Sequence, residues 1–323
     1  MADAGVVALV CPNDASRLQL ADRAWDCPSC HARYPIERGV ARFLAESDAH
    51  YEGRYLHTIQ FVPRGESALR VWPLWLVNGG YLWAVRKHVP AGSTLVEMGC
   101  AAGVAYFARR YRVIGLDLSL SSLARVAPLY QACIQADATR AIPLPDASVD
   151  AIVSSFVWEH IPPERQPAAL AECARVLRPG GRLVFLHDVD PQNPVYRTMR
   201  RRDPELFRQV LIEQDDHMGW RSPEENFAAF ERGGFRVLRC RGNEKLLFSP
   251  DTYDKVSRWP GWPRAIARIG LRFRRGAAFQ LWNLGLRVFD ETLGRLLPLS
   301  WSRTLVVVCQ RRDDAPTAIP AAQ

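Results

Sequence analysis

No apolar run in this 323-residue sequence approaches the ~20 residues that cross a bilayer. Its opening residues, MADAGVVALVC, carry no basic segment and only a short apolar stretch, so a secretory leader is not expected. Eight cysteines are present, but they are scattered, and only Cys27 and Cys30 sit close together in a pattern. That usage suits a reducing compartment rather than a disulfide framework, and a cytoplasmic location is expected. No internal repeat is visible, which excludes a solenoid or propeller.

What remains is an ordinary globular composition, 48% hydrophobic and 24% charged. The net charge of +8 is unevenly placed: ten Lys/Arg face four Asp/Glu between Asp251 and Arg303, an excess of six. The basic surface therefore belongs mainly to one C-terminal segment. Residues 1–45 hold strand-like pieces and two knuckle-like turns at Cys11 and Cys27, and read as a separate small module. Residues 46–92 are rich in aromatics (Tyr51, Tyr55, Phe61, Trp72, Trp75, Tyr81, Trp83) and read as a helical lid or linker. From Ser93 strands and helices alternate, with strands predicted at Thr94–Met98, Arg112–Leu116, Ala132–Gln135, Val149–Ser155 and Arg182–His187. A helix over Glu164–Leu177 is expected to stop at RPGG. This order implies a parallel, doubly wound sheet over residues 93–250. A helical insertion follows over 251–299, then a last strand within 300–312 and a Pro/Ala-rich tail over 313–323, expected to be disordered.

The stretch LVEMGCAAGVAYFARRYRVIGLDLS, residues 95–119, carries the first chemistry. Read as the dinucleotide fingerprint GxGxxG it gives Gly99, Ala101 and then Val104, which fails. Read as acid-x-Gly-x-Gly-x-Gly it gives Glu97, Gly99, Ala101 and Gly103, with one Gly exchanged for Ala. Small residues let the backbone approach a ligand, and Asp117, closing the next strand, is placed to accept from two ribose hydroxyls. Asp137 closes the third strand in CIQADAT, where a carboxylate can accept from an adenine amine.

Together with PLPDASVDAIVSSFVWEHI and ALAECARVLRPGGRLVFLHD, this ordered set resembles the class I S-adenosylmethionine-dependent methyltransferases, type 11 branch. The resemblance runs from about Thr94 to Asp188 and resumes at SPEENFAAFERGGFRVL. It implies a Rossmann-like α/β fold with a seven-stranded, mostly parallel sheet, and S-adenosylmethionine as cofactor. By it, Glu97, Gly99 and Gly103 line the methionine end, Asp117 holds the ribose, and Leu118 flanks the adenine. Asp137 and Ala138 face the adenine amine, and Phe156 begins the wall shared with the acceptor. Ala101 departs from the family's usual Gly; its methyl is tolerable at negative φ and crowding at positive φ.

Methyl transfer to a hydroxyl needs alignment and a proton acceptor. His160 in WEHI and His187 at the end of the fifth strand are the candidate bases, and His217 in DDHMGW is placed to line a lid. The plainer roles are backbone hydrogen bonding by Glu159-His160 and a satisfied strand-end His187. No NPPY- or DPPY-like run follows the fourth strand, which argues against transfer to a nucleic-acid base amine.

CPND at Cys11–Asp14 and CPSC at Cys27–Cys30 mimic the two knuckles of a zinc ribbon, with Asp14 in place of one cysteine. The module resembles the small zinc ribbon that accompanies some methyltransferases. A Cys3Asp zinc site, a substitution by His31, and a ribbon without metal all stay open. In the insertion, Ile266, Ile269, Gly270 and Phe273 share one helical face, and Phe279, Trp282, Leu286, Phe289 and Leu293 form a second stripe. These either pack over the sheet or, with Trp259, Trp262 and the arginines, lie on anionic lipid at a membrane periphery. The expected function is methyl transfer, mainly O-methylation, to a small-molecule, lipid or glycan acceptor. The alternatives are an RNA methyltransferase with a zinc ribbon and a non-catalytic cofactor-binding protein.

Overall fold

A computed structural model describes residues 7–46, 49–53 and 59–313. Tyr55 and the tail beyond residue 313 lie outside the described residues. Eleven strands form one sheet in the order β1-β2-β3-β4-β7-β6-β5-β8-β9-β11-β10. The first four are β1 (Gln19–Ala21), β2 (Ala24–Asp26), β3 (Arg33–Glu37) and β4 (Val40–Arg42). Next come β5 (Thr94–Met98), β6 (Arg112–Asp117), β7 (Ala132–Gln135), β8 (Val149–Ser155) and β9 (Leu177–Asp188). The chain finishes with β10 (Phe235–Asn243) and β11 (Thr304–Arg311).

The strands from β7 to β10 are the seven that were expected; the full sheet has eleven because the N-terminal strands extend it. β4 pairs parallel with β7, Val40 opposite Cys133 and Arg42 opposite Gln135. Leu9, Leu18 and Trp25 join the buried cluster that holds Ile134 and Leu144. The N-terminal module is therefore built onto the sheet edge, not separate from it. This pairing covers an edge that would otherwise expose unpaired backbone groups.

β5 lies between β6 and β8, parallel to both, and the chain runs outward from it first through β6 and β7 and then, on the other side, through β8 and β9. In such sheets the crevice beyond the carboxyl ends of the strands at this switch is where ligands bind. The apolar runs of β5, β6 and β8 are buried on both faces, as a sheet covered by helices requires. The helix Gln166–Val176 passes into β9 at Leu177 with no intervening loop. RPGG bulges out of the pairing between Leu177, opposite Val149, and Arg182, opposite Ala151; Gly180, at φ 72°, permits the bend there.

The insertion forms helices Pro250–Val256, Trp262–Leu271 and Gly276–Glu291. Its buried face differs from the one the apolar spacing suggests. Pro263, Ala267 and Gly270 face inward, and Tyr253 leaves no room for a side chain at Gly270. Ile266 and Ile269 are exposed. Trp259 is fully buried and donates its indole N–H to Met199 O at 3.1 Å, so it cannot serve as a surface anchor. Small residues win the packed face because the adjoining helices approach closely.

Candidate active site

After β5 the chain turns through Gly99, Ala101 and Gly103, all at positive φ (66°, 44° and 79°). Ala101 is thus the strained case, a residue with a Cβ in the left-handed region. Its amide is held by Asp117, whose Oδ2 accepts from Ala101 N at 2.9 Å while Oδ1 accepts from Ser119 N at 2.9 Å. Burial raises the Asp117 pKa, and these backbone N–H groups oppose the rise. A Cβ on Gly99 would stand 2.2 Å from Val157 Cγ2, so the turn can press against the chain that follows β8 only because Gly99 has none.

The turn floors a cavity of about 1030 Å³ at the carboxyl ends of β5, β6, β7 and β8. Gly99, Ala101, Asp117, Leu118, Asp137, Ala138 and Phe156 line it, as do His160 and Tyr51. Asp137 is partly engaged, since Oδ1 accepts from the amide and the hydroxyl of Thr139 at 2.9 and 2.7 Å. Leu44, Arg140, Glu164, Arg165 and Met218 complete much of the wall. None of these five was singled out from the sequence, because loops separated by tens of residues bring them together.

Glu97 and Gly103 do not line the cavity. Glu97 is 3% exposed and accepts the hydroxyl of Tyr130, which in turn accepts from Val104 N at 2.7 Å. Burial, with a smaller push from Asp117, lifts its carboxyl to about 8. A Cβ on Gly103 would stand 2.4 Å from Val126 Cγ2 and 2.8 Å from Tyr130 Oη. Both residues therefore act beneath the turn, fixing it against the helix Leu120–Val126 and Tyr130.

The two candidate bases separate. His187 is fully buried in β9, its ring nitrogens have no partner among the described residues, and burial lowers its pKa to about 3. It packs edge-on to Phe230 at 6.0 Å and lies outside the cavity, so it is a neutral core residue. His160 lines the cavity, and its Nδ1 lies 3.0 Å from Asp216 O. A carbonyl can only accept, so Nδ1 carries a proton, and in the neutral ring Nε2 is the acceptor. Glu159 is buried, accepts from Asp188 N at 3.1 Å, and is raised well above the carboxylate range by that burial and by Asp188. His217 is buried beside Asp188 at 3.5 Å; its neighbour Met218, not His217, reaches the cavity.

At the far edge of the sheet, Cys11, Asp14, Cys27 and Cys30 place one donor atom each within 4.8 Å of one another. Cys11 Sγ and Cys30 Sγ are 3.5 Å apart, and Asp14 Oδ2 is 3.4 Å from Cys27 Sγ. Tetrahedral zinc with S ligands at ~2.3 Å has edges of about 3.8 Å, so the donor set fits that ion. Burial raises the Cys27 thiol, and Cys30 N, donating to Cys27 Sγ at 3.4 Å, opposes that rise. His31 is not part of the cluster.

Because the folded Glu97 carboxyl titrates near 8 against an ordinary 4.5, its contribution to stability is full below about pH 4.5 and is lost as pH rises through about 8. Glu97→Gln removes that titration. Thermal unfolding should show the variant gaining on the parent by at least ~1 kcal/mol, or several degrees, between pH 5 and pH 8.5. A constant difference across that range would contradict the buried neutral carboxyl.

Residues 96–185 match the model of a methyltransferase domain. A probable S-adenosylmethionine-dependent methyltransferase of Mycolicibacterium smegmatis is 43% identical over 173 residues, which span 50% of this chain and 64% of that protein. The malonyl-[acyl-carrier protein] O-methyltransferase of Serratia marcescens is 38% identical over 101 residues, 29% of this chain and 38% of that one. The demethylmenaquinone methyltransferase of Mycolicibacterium vanbaalenii is 30% identical over 140 residues, 40% of this chain and 60% of that one. The chain thus spans less than two thirds of the length of each of these relatives. The segment that matches a methyltransferase domain, residues 96–185, is the one that holds β5 to β8 and the turn fixed by Asp117.

Proposed function

We propose that this chain transfers the methyl group of S-adenosylmethionine to a hydroxyl of a small-molecule, lipid or glycan acceptor. The observation that carries this reading is the cavity floored by the left-handed turn with Asp117 at its rim. Each Asp117 oxygen gives one lone pair to a backbone N–H and keeps another for a ribose hydroxyl. Leu118 would flank the adenine, Asp137 and Ala138 would face its amine, and Gly99 and Ala101 would run beside the methionine end. Phe156 would begin the wall shared by cofactor and acceptor. Among the relatives, the names of two point to an acyl-carrier substrate and a demethylmenaquinone, which favours a small organic acceptor over nucleic acid.

In the reaction, an acceptor hydroxyl oxygen bonds to the methyl carbon as the carbon–sulfur bond breaks. Sulfur keeps that electron pair and becomes a neutral thioether, and the hydroxyl proton must leave. In this reading His160, on the wall of the same cavity, would take it. The protein's share is alignment and removal of water, the larger part of catalysis for such a displacement.

Two further assignments belong to this reading. Cys11, Asp14, Cys27 and Cys30 would hold one Zn2+ that braces the sheet edge, a structural role with no part in the chemistry. The insertion would rest at a membrane periphery: Trp262, Ile266, Ile269, Leu281, Leu293 and Leu296 are exposed beside Arg268, Arg272 and Arg275. No helix of the described residues is long and apolar enough to cross a membrane.

Calorimetric titration with S-adenosylhomocysteine should show affinity weakened by roughly 1–3 kcal/mol in Asp117→Ala. Unchanged affinity would remove Asp117 from the ribose site. Metal analysis of protein purified without chelator should find close to one zinc per chain, and Cys27→Ser should lose it. A metal-free protein with unaltered thermal stability on added zinc would refute the ribbon assignment.

A further inference from the structure

A second cavity, of about 370 Å³, lies on the other side of Phe156, which lines both spaces. Its walls come from the insertion helices Pro250–Val256 and Gly276–Glu291 and from the ends of β10 and β11, outside the matched methyltransferase segment. The lining is mixed: Asn78, Asn243, Asn283, Thr252 and Ser249 stand beside charged groups, and Leu76, Leu186, Phe279 and Leu286 supply apolar surface between them. An apolar ring system would leave the polar groups without water or partner, a penalty of about 1–3 kcal/mol each.

The cations on this wall are already engaged. Arg303 bonds Asp188 at 2.8 Å, Arg287 bonds Glu291 at 2.6 Å and Asn243 at 2.5 Å, and Lys255 is paired with Asp215. An acceptor carboxylate or phosphate would have to displace one of these pairs. Two buried atoms on this wall have no partner, the donor Arg287 Nε and the acceptor Asp290 Oδ1; Asp290 is 5% exposed and its Oδ2 accepts from Glu244 N at 3.0 Å. Burial raises the Asp290 carboxyl to about 7, so close to neutral pH it can either accept or donate.

Resting on the methyl-transfer reading, we propose that this second cavity is the acceptor pocket and that it takes a polyhydroxylated acceptor, a sugar unit, with Asp290 hydrogen-bonding one of its hydroxyls. Neutral hydroxyls can both donate and accept, so they satisfy a wall of amides, hydroxyls and a carboxyl without displacing an ion pair. The volume suits one hexose-sized unit, and one of its hydroxyls would reach past Phe156 into the larger cavity, where its oxygen meets the methyl carbon directly. The wall chemistry disfavours a flat quinone and an anionic acyl group alike.

The test uses the full chain with S-adenosylhomocysteine present and saturation-transfer NMR as readout. Its probes are methyl glycosides of glucose, mannose and rhamnose, with 1,4-dihydroxy-2-naphthol and malonyl-N-acetylcysteamine as the competing chemistries. At least one glycoside should receive saturation, and its affinity should fall about tenfold in Asp290→Asn and Asn283→Leu, the size expected for loss of a good hydrogen bond. S-adenosylhomocysteine affinity and melting temperature, measured alongside, should stay near the parent values in both variants. No glycoside binding, glycoside binding unchanged in both variants, or naphthol or thioester binding lost in those variants would overturn the proposal. Failure to bind S-adenosylhomocysteine would instead sink the methyl-transfer reading, and the glycoside arm would still decide the pocket.

Discussion

Everything at the site hangs from the Asp117 carboxylate. It closes β6 and reaches across to the amide of Ala101, so one side chain fixes the far end of its own strand and the turn that leaves β5. A turn with three successive left-handed residues at alternate positions would not hold itself open, because an alanine there carries a steric penalty of roughly 1 kcal/mol or more. A charged acceptor buried against a backbone N–H supplies compensation of that order. Beneath it, Tyr130 links Glu97 to Val104 N and braces the same turn from the core side. From above, Ile59 brackets it, accepting from Ala105 N and donating to Gly103 O at 3.0 Å each. The cavity is the space these restraints keep empty.

Much of the core was legible because buried parallel strands are short apolar runs bounded by turn residues. β5, β7 and β8 begin and end where the sequence pattern places them, and β6 extends one residue further. Pairing between distant segments was not legible. The three-residue β4 has no pattern that announces a partner, yet it extends the sheet by lying beside β7. The helix does end just before RPGG, at Val176, but nothing in RPGG announces that β9 already begins at Leu177 and carries it as a bulge.

The site was legible to the same depth. Residues at strand ends fell where the βα order puts them, so Asp117, Asp137 and Phe156 came together around one cavity. Side-chain direction was the missing information. Glu97 and Gly103 flank the turn in sequence but act behind it, and His187 sits one residue short of the strand end and is enclosed on every side. In the insertion, amphipathic spacing put Gly270 on the packed face but did not say that Pro263 and Ala267 would join it there while Ile266 and Ile269 stay exposed. Asp290 could not be singled out at all, since only its burial beside Glu244 distinguishes it from an ordinary helix-surface acid.

The claim on which the rest depends is that methyl groups leave this protein for a small or lipid-linked acceptor. It is tested most directly by incubating the purified chain with methyl-labelled S-adenosylmethionine and fractionated lysate, then following label into RNA, lipid-soluble and water-soluble pools. The account predicts label in the lipid-soluble or small-molecule pool that survives ribonuclease and disappears with Asp117→Ala. Label released by ribonuclease would contradict it and make the basic insertion an RNA-binding surface.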